Sequence, residues 1–462
     1  MLEGMLRAGV DVFRLNFAHG TRDWHSSVVQ RIRSASQTVG RVAAILQDLG
    51  GPKIRLGAIP GDKRQLHLGE RIRFVKQPGG QSGELETTYP KLIDDLQPGN
   101  LVLCADGLVA ARVSAKGSDW VEAEVTVAGE VCSRQGINVP GARLQIESLT
   151  EKDLRDLDWT AQHPVDFVGL SFVRRSEDVD QLRRELNRRG CQAQIVAKIE
   201  KPEAVDSLDS VIDRADVLMV ARGDLGVEID VARVPMVQKQ IIRRCQHFGV
   251  PVIVATQMLE SMRSSPRPTR AEASDVANAI LDGADALMLS GETATGHFPL
   301  EAVETMNRIA LETEQAVGDS LRELQIHLVA ERLIPRPIHG RATDMTLAAV
   351  EAASQLAERV KARLIIAATD GGHTALGLSK QRGLTPILGL SDAPGTVRRM
   401  ALYWGVLPVL FERPRVQQDY VSQATTWVRA RGLAAPGDRL VFVFGRRWTG
   451  ASSNTVLVHE VG

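Results

Sequence analysis

Two neighbouring stretches of the chain carry side chains suited to binding a metal ion together with an anion. Lys198 and Glu200 come at the end of an apolar run, residues 195–199, and Asp224 follows a second run, residues 217–220. Helical spacing of the apolar residues between the runs predicts a β-α-β unit with parallel strands. Two carboxylates beside one lysine are suited to Mg²⁺ shared with an oxyanion or a phosphate. The alternative is a surface salt-bridge cluster, because short motifs often occur by chance.

The elements that would position these groups repeat through much of the chain. Seven apolar runs of strand length lie at residues 12–17, 42–46, 167–172, 195–199, 217–220, 252–255 and 286–289. Helical patterns alternate with them, which is typical of a (β/α)8 TIM barrel whose reactive groups lie at the carboxyl ends of its strands. Seven strands are one short of eight, so the first strand is apparently missing.

Two further regions have a different pattern. Short alternating segments broken by turn signals predict an all-β lid at residues 55–138, inserted into a catalytic barrel of residues 1–54 and 139–320. Residues 331–341 read as a linker, and residues 321–462 predict a C-terminal α/β domain with a regulatory role and a mostly parallel sheet.

Composition limits the classes of partner. The chain has 462 residues with 56 basic and 56 acidic side chains, and no basic stripe, so we expect no nucleic acid partner. No apolar run approaches the length of a membrane span, so we expect no membrane partner. The four cysteines form no C-x-x-C pair, which favours a reducing, cytoplasmic location.

Polar side chains occur at the end of nearly every predicted strand. They are Arg14, Asn16, Asp48, Lys198, Glu200, Asp224, Thr256, Ser290 and Glu292. Capping of single strands does not readily explain so many on one face of a barrel. A metal site with a cationic rim does, and it suits phosphoryl transfer, in which electrostatics and positioning provide most of the catalysis. The lid would close over this face and exclude water.

Longer motifs resemble those of the pyruvate kinase family. They are VFRLNFAHG (12–20), GGPKIR (50–55), AKIE (197–200), MVARGDLGVEI (219–229), VIVATQMLESM (252–262) and RPTRAEASDVANAILDGADALMLSGETATG (267–296). They cover the barrel, and weaker similarity continues through the lid and the C-terminal domain. The resemblance implies a glycolytic kinase that converts phosphoenolpyruvate and ADP to pyruvate and ATP, binds Mg²⁺ or Mn²⁺, and forms a homotetramer.

The resemblance also implies a role for each matching position. It implies that Lys198 and Thr256 are catalytic residues and that Glu200 and Asp224 bind the metal. The residues implied for phosphoenolpyruvate are Arg14, Lys198, Gly223, Asp224 and Thr256. Those implied for the nucleotide are Asn16, His19, Arg55 and Asp106.

Potassium dependence is where this chain departs from the family. Potassium-dependent members ligate K⁺ with Asn, Ser, Asp and Thr, at the positions that are Asn16, Ala18, Asp48 and Leu49 here. Ala18 lacks the Ser hydroxyl, Leu49 offers only its backbone carbonyl, and the family's Glu in the turn after the third barrel strand is Lys53. Lys53, paired with Asp48, would substitute for the monovalent cation, so we expect no K⁺ requirement. The alternative is that Lys53 is an ordinary surface lysine, the commoner fate of that residue.

A second departure lies in the loop that binds effectors in the family. It reads ATDGGHTA and offers Thr369, Gly371, Gly372, His373 and Thr374 to the phosphate of a sugar-phosphate or nucleotide effector, but lacks an Arg or Lys. An ordinary turn after a strand explains it equally well.

Two other functions remain open at this point. One is a metal-dependent aldolase or lyase that acts on phosphoenolpyruvate or pyruvate, for which ADP has no role. The other is a catalytically impaired regulatory paralogue, suggested by the missing strand.

Overall fold

The computed structural model describes residues 1–77, 84–142, 144–324, 343–414, 418–445 and 455–462. The chain begins with a helix, a strand, a second helix and a second strand: α1 (Leu2–Ala8), β1 (Val12–Asn16), α2 (Arg22–Val39) and β2 (Ala44–Asp48). Gly9 ends α1 with a φ of 112°, a left-handed conformation that a glycine adopts without strain. Thr21 caps α2 by accepting a hydrogen bond from Trp24 N.

The lid follows and has its own hydrophobic core, which extends from Ile54 to Ala142. Its elements are β3 (Lys63–Leu66), β4 (Arg71–Val75), β5 (Glu84–Glu86), α3 (Leu92–Asp95), β6 (Leu101–Cys104), β7 (Val109–Lys116), β8 (Trp120–Val127), β9 (Gly129–Cys132) and β10 (Ile137–Asn138). The predicted β-sheet character of this insertion is confirmed, with one four-residue helix added.

Alternating helices and strands then resume. They are α4 (Glu151–Thr160), β11 (Phe167–Leu170), α5 (Ser176–Arg188), β12 (Gln194–Ile199), α6 (Pro202–Asp206), α7 (Leu208–Arg214), β13 (Val217–Ala221), α8 (Arg222–Glu228), α9 (Val234–His247), β14 (Val252–Ala255), α10 (Arg270–Leu281), β15 (Ala286–Met288), α11 (Gly291–Ala294) and α12 (Pro299–Leu324). A capping box of Thr150 and Asp153 opens α4.

The seven barrel strands form one parallel sheet in the order β1-β2-β11-β12-β13-β14-β15. This order confirms the seven predicted strands and their parallel direction. Within the described residues, β15 and β1 share no hydrogen-bond ladder, so the sheet is curled but open between them. Alternation along each strand sends Ile195 and Ala197 outward to the helices, and Val196 and Lys198 inward.

Aspartates placed just before three barrel strands connect neighbouring strands at their amino ends. Each accepts a hydrogen bond from a backbone N–H of the adjacent strand: Asp166 from Ile45, Asp216 from Ile195, and Asp285 from Val252. These bonds satisfy donors at the start of a strand, where the ladder gives them no partner.

The C-terminal domain contains α13 (Asp344–Arg359), β16 (Leu364–Ala368), α14 (His373–Lys380), β17 (Ile387–Ser391), α15 (Pro394–Met400), β18 (Val406–Leu410), α16 (Gln418–Ala430), β19 (Arg439–Phe444) and β20 (Thr455–Glu460). Its sheet has the order β18-β17-β16-β19-β20, with only the last pair antiparallel. The mostly parallel sheet is therefore confirmed, whereas the sequence did not predict α14, α16 or β20. The linker predicted at residues 331–341 lies outside the described residues.

This domain closes the amino end of the barrel. Leu376 and Met400 share a hydrophobic core with Leu46 and Val196 of the barrel interior. Buried ion pairs flank that core: Lys380 with Asp285, and Arg398 with Asp166, each at 2.6 Å. The lid and the candidate site lie at the opposite end of the barrel, where the strands have their carboxyl ends. No helix within the described ranges is long and apolar enough to cross a membrane.

Candidate active site

A buried lysine occupies the centre of the barrel's carboxyl face. Lys198 Nζ lies 2.8 Å from Glu200 Oε1, 3.3 Å from Asp48 Oδ1 and 2.9 Å from Ser171 Oγ. Only 8% of the residue is exposed. Burial by itself lowers the pKa of Lys198, but the two carboxylates outweigh burial and raise its pKa well above the ordinary value. Lys198 is therefore a fixed positive charge.

Asp48 holds this lysine and an arginine from the neighbouring strand. Arg14 Nε donates to Asp48 Oδ2 at 2.6 Å. Burial raises the pKa of the Asp48 carboxyl, but Lys198 and Arg14 oppose it and leave the pKa below its usual value, so Asp48 is ionised. A Cβ at position 169 would lie 3.0 Å from Asp48 Oδ1, so any residue larger than Gly169 would crowd that carboxylate.

Glu200 and Asp224 provide a pair of oxygen ligands beside the lysine. Glu200 is 1% exposed, and its Oε2 accepts a hydrogen bond from Phe172 N at 2.7 Å. Burial raises the pKa of Glu200, Lys198 opposes this, and the charge of Asp224 raises the pKa further. A divalent cation between the two carboxylates would offset both the burial and the repulsion.

This donor set fits Mg²⁺, which typically takes one or two carboxylates and completes its coordination with water and substrate phosphate. Among the described residues, no group of three or more His, Cys, Asp or Glu is placed to enclose a metal. Glu200 and Asp224 therefore suit an open site better than a closed structural one.

Thr256 lies at the end of β14 in a left-handed backbone conformation, with a φ of 69°. Its Oγ1 accepts a hydrogen bond from Gly223 N at 2.8 Å and donates to the Ala255 carbonyl at 2.6 Å. Gly223 and Asp224 belong to the first turn of α8, which begins directly after β13. The structure thus brings Thr256, Gly223 and Asp224 together across adjacent strand ends.

Lys53 lies in residues 52–55, the segment between β2 and the lid that we call the lid hinge, and its position corrects one prediction. Its Nζ lies 3.7 Å from Asp224 Oδ1. Asp48, predicted as its partner, instead pairs with Arg14 and Lys198. The reason is the strand alternation, which turns Asp48 inward to those two side chains, whereas the lid hinge brings Lys53 to Asp224 at the start of α8.

The lid and the barrel meet in a small cleft whose lining includes Lys53, Asn138 and Lys201. Glu228, buried at the end of α8, accepts hydrogen bonds from Lys201 of the barrel and Asn138 of the lid, at 2.6 and 2.8 Å. The exposed Asp106 lies on the lid turn Ala105–Gly107, which is next to α8. Of the nucleotide-binding candidates, Asp106 is thus placed next to α8, but none of Asn16, His19, Arg55 and Asp106 lines this cleft.

Several of the predicted residues are exposed or form hydrogen bonds with backbone groups. Arg55 donates to the Arg134 carbonyl within the lid. Asn16 Oδ1 accepts from Ala18 N, and His19 is exposed. Glu292 is fully buried, and its carboxylate accepts backbone N–H bonds from Leu259 and Ser290, so it shapes the loops instead of facing the cleft.

The predicted effector loop forms a compact turn. Thr369 Oγ1 accepts a hydrogen bond from Gly372 N at 3.0 Å, and Gly372 has a φ of 90°. His373 and Thr374 open α14 directly after this glycine. Asp370 pairs with Arg413 at 2.7 Å, which places a cation next to the loop that the loop sequence itself lacks.

Three site residues had no predicted role. Ser171 bridges Lys198 Nζ to the Leu49 carbonyl, and Arg222 with Asp275 supports Thr256. The sequence did contain a signal for Arg222, which is a charged residue at a strand end in the ARGD motif. Ser171 and Asp275 gave no signal, because their partners are distant in the chain.

Comparisons with known proteins agree with this geometry. Residues 1–303 match the sequence profile "Pyruvate kinase, barrel domain", and residues 348–459 match "Pyruvate kinase, alpha/beta domain". The chain belongs to the pyruvate kinase family. Its curated relatives include a pyruvate kinase of Agrobacterium vitis, 41% identical over 100% of this chain and 95% of the relative. Others are pyruvate kinases of Mycobacterium tuberculosis, 39% identical with the same coverage, and of Sporosarcina psychrophila, 38% identical over 100% of this chain and 78% of the relative.

Membership in this family confirms the resemblance, the fold class and the phosphotransferase character predicted from the sequence.

Proposed function

We propose that this phosphotransferase moves the phosphoryl group of phosphoenolpyruvate to ADP, giving pyruvate and ATP as a step of glycolysis. The observation that carries this proposal is Lys198, a buried and charged lysine held by Asp48, Glu200 and Ser171 at the carboxyl face of the barrel. A fixed cation of this kind stabilises the charge that spreads over a transferring phosphoryl group without reorganising.

In the proposed reaction, the P–O bond to the enol oxygen of phosphoenolpyruvate breaks and a new P–O bond forms to the β-phosphate of ADP. Lys198 and Arg14 face the substrate phosphoryl group, while the α8 turn at Gly223 and Asp224 holds its carboxylate. Thr256 lies beside the enolate carbon, which takes up a proton to give pyruvate. Collapse of the enol to the ketone makes the transfer favourable.

Glu200 and Asp224 are the proposed ligands of Mg²⁺ or Mn²⁺, which when bound would neutralise charge on the phosphates. The test is Glu200→Gln, which keeps the size of the side chain but removes its charge. We expect a rise of tenfold or more in the Mg²⁺ concentration that gives half-maximal activity, since even outer partners of metal ligands change affinity by about 10- to 100-fold. An unchanged Mg²⁺ dependence would exclude Glu200 as a ligand.

We assign the nucleotide to Asn16, His19, Arg55 and Asp106. Two positions support this assignment: Asn16 is the last residue of β1, at the carboxyl face of the barrel, and Asp106 lies on the lid turn next to α8. Arg55→Ala should raise the KM for ADP more than the KM for phosphoenolpyruvate. Equal effects on both would argue against this assignment.

We further propose that activity does not require K⁺. Two of the expected K⁺ ligands are engaged: Asp48 pairs with Arg14 and Lys198, and the Leu49 carbonyl accepts from Ser171. Lys53 also places a fixed positive charge in the cleft, 3.7 Å from Asp224. Two like charges about 4 Å apart cost about 4 kcal/mol at an effective dielectric of 20, which disfavours K⁺ beside Lys53.

Activity should be similar in KCl and in tetramethylammonium chloride of equal ionic strength. Lys53→Glu should introduce activation by K⁺, most strongly when Ala18→Ser also restores a ligand. The matched control is Lys63→Glu, a charge reversal on the lid that is 61% exposed and away from the cleft. Strong activation of the unmodified protein by K⁺ would refute potassium independence.

Regulation and assembly are further proposals that follow from family membership. We infer that Thr369, Gly371, Gly372, His373 and Thr374 bind the phosphate of a sugar-phosphate or nucleotide effector, with Arg413 nearby. We also infer a cytoplasmic homotetramer. Thr374→Glu should abolish activation by whichever phosphorylated compound activates the protein, and light scattering should give four times the chain mass of 50.3 kDa.

An assay coupled to lactate dehydrogenase tests the main proposal. Pyruvate should form only when phosphoenolpyruvate, ADP and Mg²⁺ are all present. Formation without ADP would favour an aldolase or lyase, and no formation would favour an impaired paralogue.

A further inference from the structure

Thr256 and the residue after it share an unusual backbone conformation. Thr256 has a φ of 69° and Gln257 a φ of 56°, both in the left-handed region that side-chain-bearing residues rarely adopt. The tight turn lets the Thr256 hydroxyl reach Gly223 N at 2.8 Å. Two successive strained residues persist only if surrounding groups hold them in place.

One guanidinium group holds both residues. Arg222 Nη2 donates to the Thr256 carbonyl at 2.7 Å and to the Gln257 carbonyl at 3.2 Å. Arg222 Nε lies 3.3 Å from the same Thr256 oxygen. The side chain is 11% exposed, so water competes little for these carbonyls.

A carboxylate from a third element fixes the guanidinium in turn. Arg222 Nη1 donates to both oxygens of Asp275 on α10, at 2.8 and 2.7 Å. The planar fork of arginine can meet a carboxylate and two carbonyls at once, whereas the single ammonium of lysine cannot reproduce this geometry. Two successive contacts, from Asp275 to Arg222 and from Arg222 to Thr256, therefore connect α10 to the hydroxyl at the site.

We propose that Arg222, oriented by Asp275, is a positioning residue that holds the Thr256 hydroxyl where the enolate carbon is protonated. This inference rests on the proposed function, in which enolpyruvate forms first and is then protonated at C3. Arg222 touches no reacting atom in this account. Its effect passes through the position of Thr256, because it binds the carbonyl of that residue and of the next one.

The test is Arg222→Lys, with Asp275→Asn as a second variant that weakens the same chain of contacts. A misplacement of about 1 Å can cost about 100-fold in rate, so we expect a 10- to 100-fold loss of kcat with the KM for ADP unchanged. The matched control is Arg183→Lys. Arg183 also donates to an aspartate and a carbonyl, Asp216 and Arg214, but at the opposite end of the same strand β13.

A double-mutant cycle separates positioning from a general loss of structure. In a Thr256→Ala background, Arg222→Lys should lower kcat by less than about threefold, because the hydroxyl it positions is gone. Arg183→Lys should have the same small effect in both backgrounds. A loss from Arg222→Lys that is equally large with and without the Thr256 hydroxyl would overturn the proposal.

A crystal structure of the Arg222→Lys variant provides a readout that does not depend on activity. The Thr256 hydroxyl should move away from Gly223 N by about 1 Å or more, whereas an unmoved hydroxyl would overturn the proposal. If the unmodified protein makes no ATP from phosphoenolpyruvate and ADP, the proposed function is wrong. The position of Thr256 in the variant still decides whether Arg222 holds it.

Discussion

Replacing Lys198 by methionine separates catalysis from stability, because the chain offers a second buried, ion-paired lysine at the opposite end of the barrel. Lys198 and Lys380 are both 8% exposed. Each pairs with a buried aspartate that keeps an arginine partner if the lysine is lost: Asp48 with Arg14 in one case, and Asp285 with Arg382 in the other. Lys198 also pairs with Glu200, whereas Lys380 ends α14 and lies beside Asp285 at the start of β15.

Both substitutions should destabilise the fold. Removing one partner of a buried ion pair typically costs about 3–5 kcal/mol, because it leaves a buried charge without full compensation. The remaining arginine reduces that cost for Asp48 and for Asp285, but Lys198→Met also leaves the buried Glu200 without its lysine. Urea denaturation should therefore show a loss in the free energy of unfolding for both variants, at least as large for Lys198→Met as for Lys380→Met.

Only Lys198→Met should lose most of the activity. A unit charge about 4 Å from the transferring phosphoryl group is worth about 4 kcal/mol at an effective dielectric of 20, which corresponds to about a thousandfold in kcat. Calorimetry should show ADP binding nearly unchanged, because Lys198 contacts Asp48, Glu200 and Ser171, away from the lid. Comparable kcat values for the two variants at saturating substrates would refute the role given to Lys198.

Two further predictions concern packing and reactivity. Gly51→Ala should lower both stability and kcat, because Gly51 has a φ of 64° and a Cβ there would lie 2.9 Å from the Ser171 side chain. The control is Gly61→Ala: Gly61 has a φ of 76°, but a Cβ there would meet no atom within 4 Å. This control should lose stability from backbone strain and keep its kcat. Burial raises the pKa of the Cys104 thiol to about 12, so little thiolate forms at pH 8 and a thiol reagent should label the partly exposed Cys132 first, as mass spectrometry can establish. Faster labelling of Cys104, or equal kcat losses for the two glycine variants, would contradict these expectations.

The sequence predicted the barrel well because its strands are buried on both faces and form continuous apolar runs. The runs around residues 195–199 and 217–220 became β12 and β13 with shifts of only a residue. In the C-terminal domain, β20 escaped prediction because an antiparallel edge strand has a weaker pattern, and the ATDGGHTA loop masked the start of α14.

The site was predictable where a single strand end determines the position of a side chain. Lys198 lies on the inward face of β12 with Val196, and Glu200 follows the strand directly in the same alternation, so the strand end brings the two side chains together. Partners distant in the chain were less predictable. The pairing of Lys53 depends on how the lid hinge approaches α8, and the contact of Arg222 with Asp275 depends on the packing of α10.

Phosphorus NMR of the purified protein follows the proposed phosphoryl transfer itself. Phosphoenolpyruvate, ADP and Mg²⁺ are mixed in a buffer that contains KCl, so that potassium dependence does not enter the result. We expect the phosphoenolpyruvate signal to fall as the γ-phosphate of ATP rises in a one-to-one ratio, and the conversion to be about a thousandfold slower with Lys198→Met. Loss of phosphoenolpyruvate without ATP, or equal rates for the two proteins, would contradict the proposal.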